Sequence, residues 1–400
     1  MNLGKFTGIL GIAFILLLGY LFSKNRKLIN YRLVFIGLLL QALTAFFILN
    51  TRIGIFIFSI LAKGITSILH ISKYGGNFVF GSLMDKGFIF AFQIAPIIIF
   101  ICTLVSLLYY FGILQKIVKL FAWIFNKLLG VSGAEALANT SVAIVGQVES
   151  AIVIQPYLSK MTMSELLTIM TGGMACIAGA VLAVYGSLGI KIEYLLAASF
   201  MAIPGSFVMS KLFYPEDSTP VTKNTIKIDY KPKEKSFIEA ILNGGMNGVK
   251  IFVGIIAMLI AFISLVALLN KFLFMLNPSL SIKNILGWIF TPFVYLLGVP
   301  KQDTTTVAEL LGTKISLNEF IAYLDFSKLL KENILSTKST IITTFILCGF
   351  ANFGSIGIQI GGLSQMAPER KSDLARLGIL AMICGALTSC ISGCIVGIIY

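Results

Sequence analysis

Only one histidine, His70, occurs in the 400 residues, so no histidine cluster can hold a metal ion or run acid–base chemistry. The six cysteines, Cys102, Cys176, Cys348, Cys384, Cys390 and Cys394, lie inside apolar runs with no C-x-x-C pair. That pattern supports neither a disulfide framework nor a zinc site. A G-x-x-x-x-G-K-[ST] run is also missing, so no P-loop binds ATP. Charge is scarce as well: 12% of residues are charged and 57% hydrophobic, against about a quarter and about a half in soluble domains. A water-soluble fold could not hide that much apolar surface.

What is present reads as membrane-spanning. Segments 7–21, 33–49, 88–110 and 249–269 approach or reach the roughly 20 apolar residues that cross about 30 Å of hydrocarbon. The net charge of +14 comes from 31 basic residues concentrated between such segments. Lys24, Arg26, Lys27 and Arg32 follow the first span and only Lys5 precedes it, which by the positive-inside rule predicts an amino terminus outside the cell membrane. Lys116, Lys119 and Lys127 mark a second cytoplasmic connection, and the run from Lys211 through Lys223, Lys227, Lys231, Lys233 and Lys235 a third. The basic residues thus act as topology signals, and no nucleic-acid partner is implied. The first span has no small-residue cleavage pattern and reads as an uncleaved anchor.

Two separated helices are followed by a shorter stretch, 53–71, suited to the membrane interface, and a long span from about 85 to 114. In 130–158 and 285–311, Gly, Pro, Gln, Ser, Thr and acidic residues interrupt the apolar pattern. Broken segments at membrane depth are tolerated only where they line a cavity or pack in protein. A shift of 154 positions superposes Val145 on Val299, Glu149 on Asp303, Lys160 on Lys314 and Glu165 on Glu319. Paired broken segments of this kind point to a transporter's midplane site. The predicted fold is an all-α polytopic membrane protein: scaffold helices in 1–129, a first repeat of re-entrant hairpin plus two helices in 130–213, a cytoplasmic loop in 214–246, a scaffold helix in 247–280 and a second such repeat in 281–400. Continuous helices are expected at 165–190, 194–212, 340–353 and 373–400, with a shorter one at 318–326 and both termini outside.

A carboxylate at membrane depth costs at least about 2.5 kcal/mol, so each needs a partner, a proton or a task. Glu149, in Gly146-Gln147-Val148-Glu149-Ser150, and Glu319, in Asn318-Glu319-Phe320, are the two most closely flanked by apolar sequence. Capping of a half-helix is the other reading of each. In Phe350-Ala351-Asn352-Phe353-Gly354-Ser355, Asn352 and Ser355 at i and i+3 place an amide and a hydroxyl on one helix face; small-residue helix packing is the alternative. Carboxylates, amides, a hydroxyl and phenylalanines together suit a neutral, polyhydroxylated ligand with an aromatic ring.

At these residues the chain resembles the concentrative nucleoside transporter family over most of its length. The matching strings are Val145-Gly146-Gln147-Val148-Glu149, Met170-Thr171-Gly172-Gly173, Leu311-Gly312-Thr313-Lys314, Asn318-Glu319-Phe320, Phe350-Ala351-Asn352-Phe353 and Ala367-Pro368-Glu369-Arg370. The resemblance implies a homotrimer in the cytoplasmic membrane that imports a nucleoside by an elevator motion, with two hairpin tips meeting at the midplane. It implies no cofactor, and a coupling ion that is H+ or Na+. By position, Gln147 and Glu149 contact the nucleobase, Val148, Val181 and Phe350 line its pocket, and Glu319, Asn352 and Ser355 bind the ribose.

The family's sodium-coupled members carry an asparagine and a serine where this chain has Val142 and Cys176, leaving the backbone carbonyls of Val145, Cys176 and Ile177 as possible cation ligands. Hard cations want a full oxygen shell. Protons are therefore favoured over sodium, with Glu149 or Glu319 as carrier. The rival readings are an intramembrane hydrolase using the paired carboxylates, a passive nucleoside or nucleobase facilitator, and a carrier for a free base or nucleotide.

Overall fold

The computed structural model describes residues 3–85, 89–223 and 234–400, and all regular structure among them is helical. Three long helices open the chain: α1 (Leu3–Leu21), α2 (Tyr31–Asn50) and α3 (Arg52–Phe80). Next come α4 (Phe90–Tyr110), α5 (Ile113–Leu129), α6 (Gly133–Val145), a 3-10 turn (Glu149–Ile154) and α7 (Gln155–Leu158). The first half ends with α8 (Met163–Ala175), α9 (Gly179–Ser187) and α10 (Ile192–Phe213). The second contains α11 (Phe237–Leu276), α12 (Ile282–Leu296), a 3-10 turn (Lys301–Asp303), α13 (Thr304–Ser316), α14 (Glu319–Lys331), α15 (Thr337–Leu347), α16 (Phe353–Met366) and α17 (Lys371–Ile399). Seven stretches of the described residues are long and apolar enough to cross a membrane.

The helices sort into a bare outer set and a buried inner set. α11 has 40 residues, about 60 Å at 1.5 Å per residue, twice the hydrocarbon thickness. Large side chains such as Leu242, Ile260 and Phe274 stand exposed on it. Its Gly244 and Gly248 pack on the backbone of α4, where Ser106 Oγ donates to Ala240 O at 2.8 Å. Helix α3 outruns its expected end. It buries a stripe of Gly54, Phe58, Ala62, Leu69, Ser72 and Gly76 and leaves most of the rest bare. By contrast, α6, α8, α10, α13 and α15 are buried on nearly every side, and α17 is buried along most of its length.

The inner set is built twice. α6 and its tip, the crossing pair α8–α9, and α10 are matched by α13 and its tip, α15–α16, and α17. α6 and α13 each have 13 residues. Helices α8 and α15 start on the capping residues Thr162 and Ser336 and stop at Cys176 and Cys348. The register of the repeat runs from 170 residues (Glu149 to Glu319) to 174 (Thr162 to Ser336), not the expected 154. The expected second hairpin, centred on Val299–Asp303, is an ordinary reversal that lays α12 alongside α13. The second tip is Leu317–Asn318. In sequence the two breaks look alike, because Gly298 and Pro300 reverse a chain as readily at a connection as at a binding site.

Two helices expected to be continuous are broken. The helix over 165–190 stops at Cys176 and restarts at Gly179, and the one over 340–353 stops at Leu347 and restarts at Phe353. The breaks touch. Gly349 has φ +110°, and a β-carbon there would meet Ala175 O at 2.5 Å and Met174 O at 2.6 Å. Glycine is required at that crossing by both backbone conformation and space. The expected span over 85–114 also divides, at Phe111 and Gly112, into α4 and α5. Its start at 86–88, and residues 224–233 of the expected cytoplasmic loop with Lys227, Lys231 and Lys233, lie outside the described residues.

Candidate functional site

α16 is the floor of the site. Ser355, Gln359 and Leu363 form its buried face, at the i, i+4, i+8 spacing of one helical stripe. Asn352 is its N-cap, with Oδ1 accepting from Ser355 N at 2.9 Å. Asn352 and Ser355 therefore meet as a cap and the third residue of a helix, and not as two residues inside one. A cap satisfies an orphan amide of the first turn. It leaves the Asn352 amide group free to point elsewhere, and Nδ2 donates to Glu319 Oε2 at 2.7 Å.

Glu319 opens α14, whose cap Asn318 accepts from Ile321 N at 2.9 Å. Its second oxygen, Oε1, accepts from Tyr185 OH of α9 at 3.0 Å. Tyr185 stacks on Tyr323 with ring centroids 4.2 Å apart, and Tyr323 OH donates to Thr344 O at 2.9 Å. Glu319 is thus 4% exposed, and its carboxylate is held by donors from both repeats. Phe350 lies half-buried in the break just before Asn352.

The first tip meets the same helix one to two turns further along. Gln147 Oε1 accepts from Gln359 Nε2 at 3.3 Å, and Gln359 Nε2 also donates to Met170 O at 3.1 Å. Val148 packs against Gly362. Gly146, at φ +124°, lets the chain turn back so that the Glu149 carboxylate lies over it; a β-carbon at Gly146 would be 2.5 Å from Glu149 Oε2 and 3.7 Å from Ala178 Cβ. Glu149 is exposed, between half-buried Val148 and buried Ser150. Val181 is half-buried on α9.

The structure so gathers Gln147, Val148, Glu319, Asn352 and Ser355 around α16, with Glu149 folded back over Gly146. It adds Tyr185 and Gln359, which sequence reasoning did not select. Gln359 carried a signal, being polar and one turn beyond Ser355, and its buried Oε1 has no protein partner. Tyr185 carried none, since one tyrosine in an apolar helix resembles any core aromatic.

The residues at the expected cation position offer no side-chain oxygen. Val142 is fully buried and apolar, and the Cys176 thiol donates to Ser199 O at 3.7 Å. Ile177 is buried and Val145 half-buried. Among the described residues no group of three or more His, Cys, Asp or Glu could hold a metal.

Two hairpin tips and two broken helices converging on one polar stripe define a membrane transporter built on internal repeats. The descriptions "Na+ dependent nucleoside transporter" N-terminus, "Nucleoside recognition" and "Na+ dependent nucleoside transporter C-terminus" match residues 10–83, 91–191 and 194–397. A transporter of Haemophilus influenzae is 40% identical, over 98% of this chain and 97% of its own. Human sodium/nucleoside cotransporter 1 is 38% identical over 98% of this chain, which spans 63% of that longer protein. The solved structure of CNTnw in an inward-facing substrate-bound state is 36% identical, with a TM-score of 0.95 over 100% of this chain and 98% of that one. An outward-facing structure of a CNTnw double variant gives 0.93. The chain belongs to the concentrative nucleoside transporter family. Its relatives are transporters rather than enzymes, which removes the hydrolase reading.

Proposed function

We propose that the chain imports nucleosides across the cytoplasmic membrane in symport with protons, as a homotrimer whose two repeats move as an elevator past the scaffold helices. Glu319, Asn352 and Ser355 hold the ribose hydroxyls. Gln147 and Glu149 hold the base, with Val148, Val181 and Phe350 beside it. The observation that carries this reading is the Glu319 carboxylate, buried and held by one side-chain donor on each oxygen. A carboxylate accepts about four hydrogen bonds, which leaves room for a ligand hydroxyl, and a ligand lacking one leaves an acceptor unpaired.

Proton coupling is supported by Val142 and Cys176, which supply no hard ligand for sodium. Glu149 or Glu319 is the proton carrier. One cation moving inward through 100 mV provides about 2.3 kcal/mol, enough for roughly fifty-fold accumulation of a neutral solute.

Topology is supported by contacts between the basic connections. Lys24 forms an ion pair with Asp217 at 3.5 Å, and Gly133 N donates to Thr222 O at 3.0 Å, which puts both loops and the base of the first hairpin on one side. Gly8 of α1 packs on Cys394 and Ile398 near the end of α17, so both termini share the other side, which the positive-inside rule assigns to the outside. Uridine and adenosine uptake into proteoliposomes, with sodium and pH gradients imposed separately, tests the whole reading. Accumulation under neither gradient rejects it, and accumulation under sodium alone rejects the proton.

A further inference from the structure

Lys314 is fully buried in α13, one turn before the second tip. Its Nζ donates to Ile346 O at 2.8 Å and Cys348 O at 3.1 Å, the last carbonyls of half-helix α15. Those carbonyls lack intrahelical partners and carry the negative end of the helix dipole. Two further donors close the same end: Ser389 Oγ on Cys348 O at 2.5 Å and Tyr323 OH on Thr344 O at 2.9 Å. Only Lys314 brings charge.

The repeat makes this position informative. With Gly133 superposed on Thr304, Lys314 falls on Ala143 of α6. The corresponding half-helix end, at Met174 to Cys176, faces Gly349, and among the described residues no lysine or arginine donates a hydrogen bond to its carbonyls. One of two equivalent half-helix ends thus carries a tethered ammonium where the other carries none. Cys348 opens the break that ends at Asn352, and Asn352 grips Glu319, so the ammonium sits at the root of the polar clamp on that carboxylate.

We propose that Lys314 is a built-in cation of the second repeat, a positioning residue whose ammonium fixes the end of α15 and thereby aligns Asn352 with Glu319. Its bearing on uptake rests on the ribose reading of Glu319; its bearing on stability does not. Charge, and not mere packing, is the working property: lysine at this depth is tolerated only when its donors have partners, and two backbone carbonyls supply them.

The test compares full-length wild type, Lys314→Met and Lys314→Ala. Each is melted in detergent with n-propylammonium, which restores the deleted atoms, and with n-propanol, which restores the shape without the charge. Each is also assayed for uridine uptake in proteoliposomes. Lys314→Ala is expected to gain melting temperature and uptake with n-propylammonium and not with n-propanol, while wild type responds to neither. Lys314→Met is expected to raise KM at least about tenfold, the scale of a cation held at a helix C-terminus. Unchanged KM in Lys314→Met, or equal rescue by the alcohol, or no rise in melting with the ammonium, overturns the proposal. Should Lys314→Ala yield no folded protein, the Lys314→Met kinetics decide alone. Wild-type uptake reads the transport function independently, and the melting arm stands without it.

Discussion

Glu319 Oε2 accepts from Asn352 Nδ2 at 2.7 Å while Oε1 accepts from Tyr185 OH at 3.0 Å. One carboxylate of the second hairpin therefore joins the second half-helix of each broken pair. It reports the arrangement of both repeats at once, and the expectations below start from it.

Glu319→Gln keeps the shape of the side chain and exchanges one acceptor for a donor, which then faces Asn352 Nδ2 or Tyr185 OH. Hydrogen bonds to charged groups contribute about 1.5–3 kcal/mol, so KM for uridine should rise about ten- to a hundredfold. Asn352→Ala removes the same contact, and the double variant should be little worse than either single one, because directly bonded groups are not additive. Additive losses would place the two side chains in separate roles.

Gly349→Ala tests the crossing. Its β-carbon would meet the carbonyl oxygens of Ala175 and Met174 at 2.5 and 2.6 Å in a backbone conformation that L side chains rarely adopt. Strain of this kind costs about 1–3 kcal/mol before the clash is counted. Thermal melting should drop by several degrees and uptake should fail, whereas Gly357→Ala, with nothing within 4 Å, should melt as wild type does.

The base of the first hairpin depends on Lys211, whose Nζ lies 2.8 Å from Glu135 Oε2 and 3.2 Å from Glu216 Oε2, with Ser164 Oγ at 3.0 Å. Lys211 and Glu135 are both buried. Lys211→Met leaves carboxylates without a counter-charge, a change that costs about 3–5 kcal/mol when one partner of a buried pair is removed. Adding Glu135→Gln should restore much of the lost melting temperature. A Lys211→Met protein that melts like wild type would show that Glu135 and Glu216 do not need the ammonium.

Much of this was legible from composition and order. Apolar length marked the spans, and the polar residues at Glu149, Glu319 and Asn352 marked the candidate site, because lipid penalises them unless they have work to do. The register of the repeat was not legible. Chance identities at a shift of 154 paired Glu149 with Asp303, whose carboxylate instead accepts from Ser336 and Ser339 at the start of α15. That contact mirrors Ser132 Oγ on Glu165 at the start of α8, with donor and acceptor exchanged. Function of this kind is conserved between halves as geometry, with different residues on each side, so letter matching misses it. The breaks at Cys176 and Cys348 were invisible for a related reason: they are imposed by the crossing of two helices, and only Gly349 carries a local trace.

The coupling ion is open to a gain of function. Val142→Asn with Cys176→Ser places an amide oxygen and a hydroxyl where the chain now has an isopropyl group and a thiol. The site is framed by backbone already in place: Ile144 O lies 3.5 Å from the position of a β-carbon on Gly179, so the end of α6 and the α8–α9 break are in contact. Sodium prefers oxygen donors and gains little from sulfur. If the missing oxygens are what disfavour sodium, the double variant should take up uridine about tenfold faster with an inward sodium gradient than without one, a coupling of ~1.4 kcal/mol. Wild type should respond to the pH gradient alone. Sodium stimulation of wild type as large as that of the double variant would mean that backbone carbonyls suffice, and the proton assignment would fall.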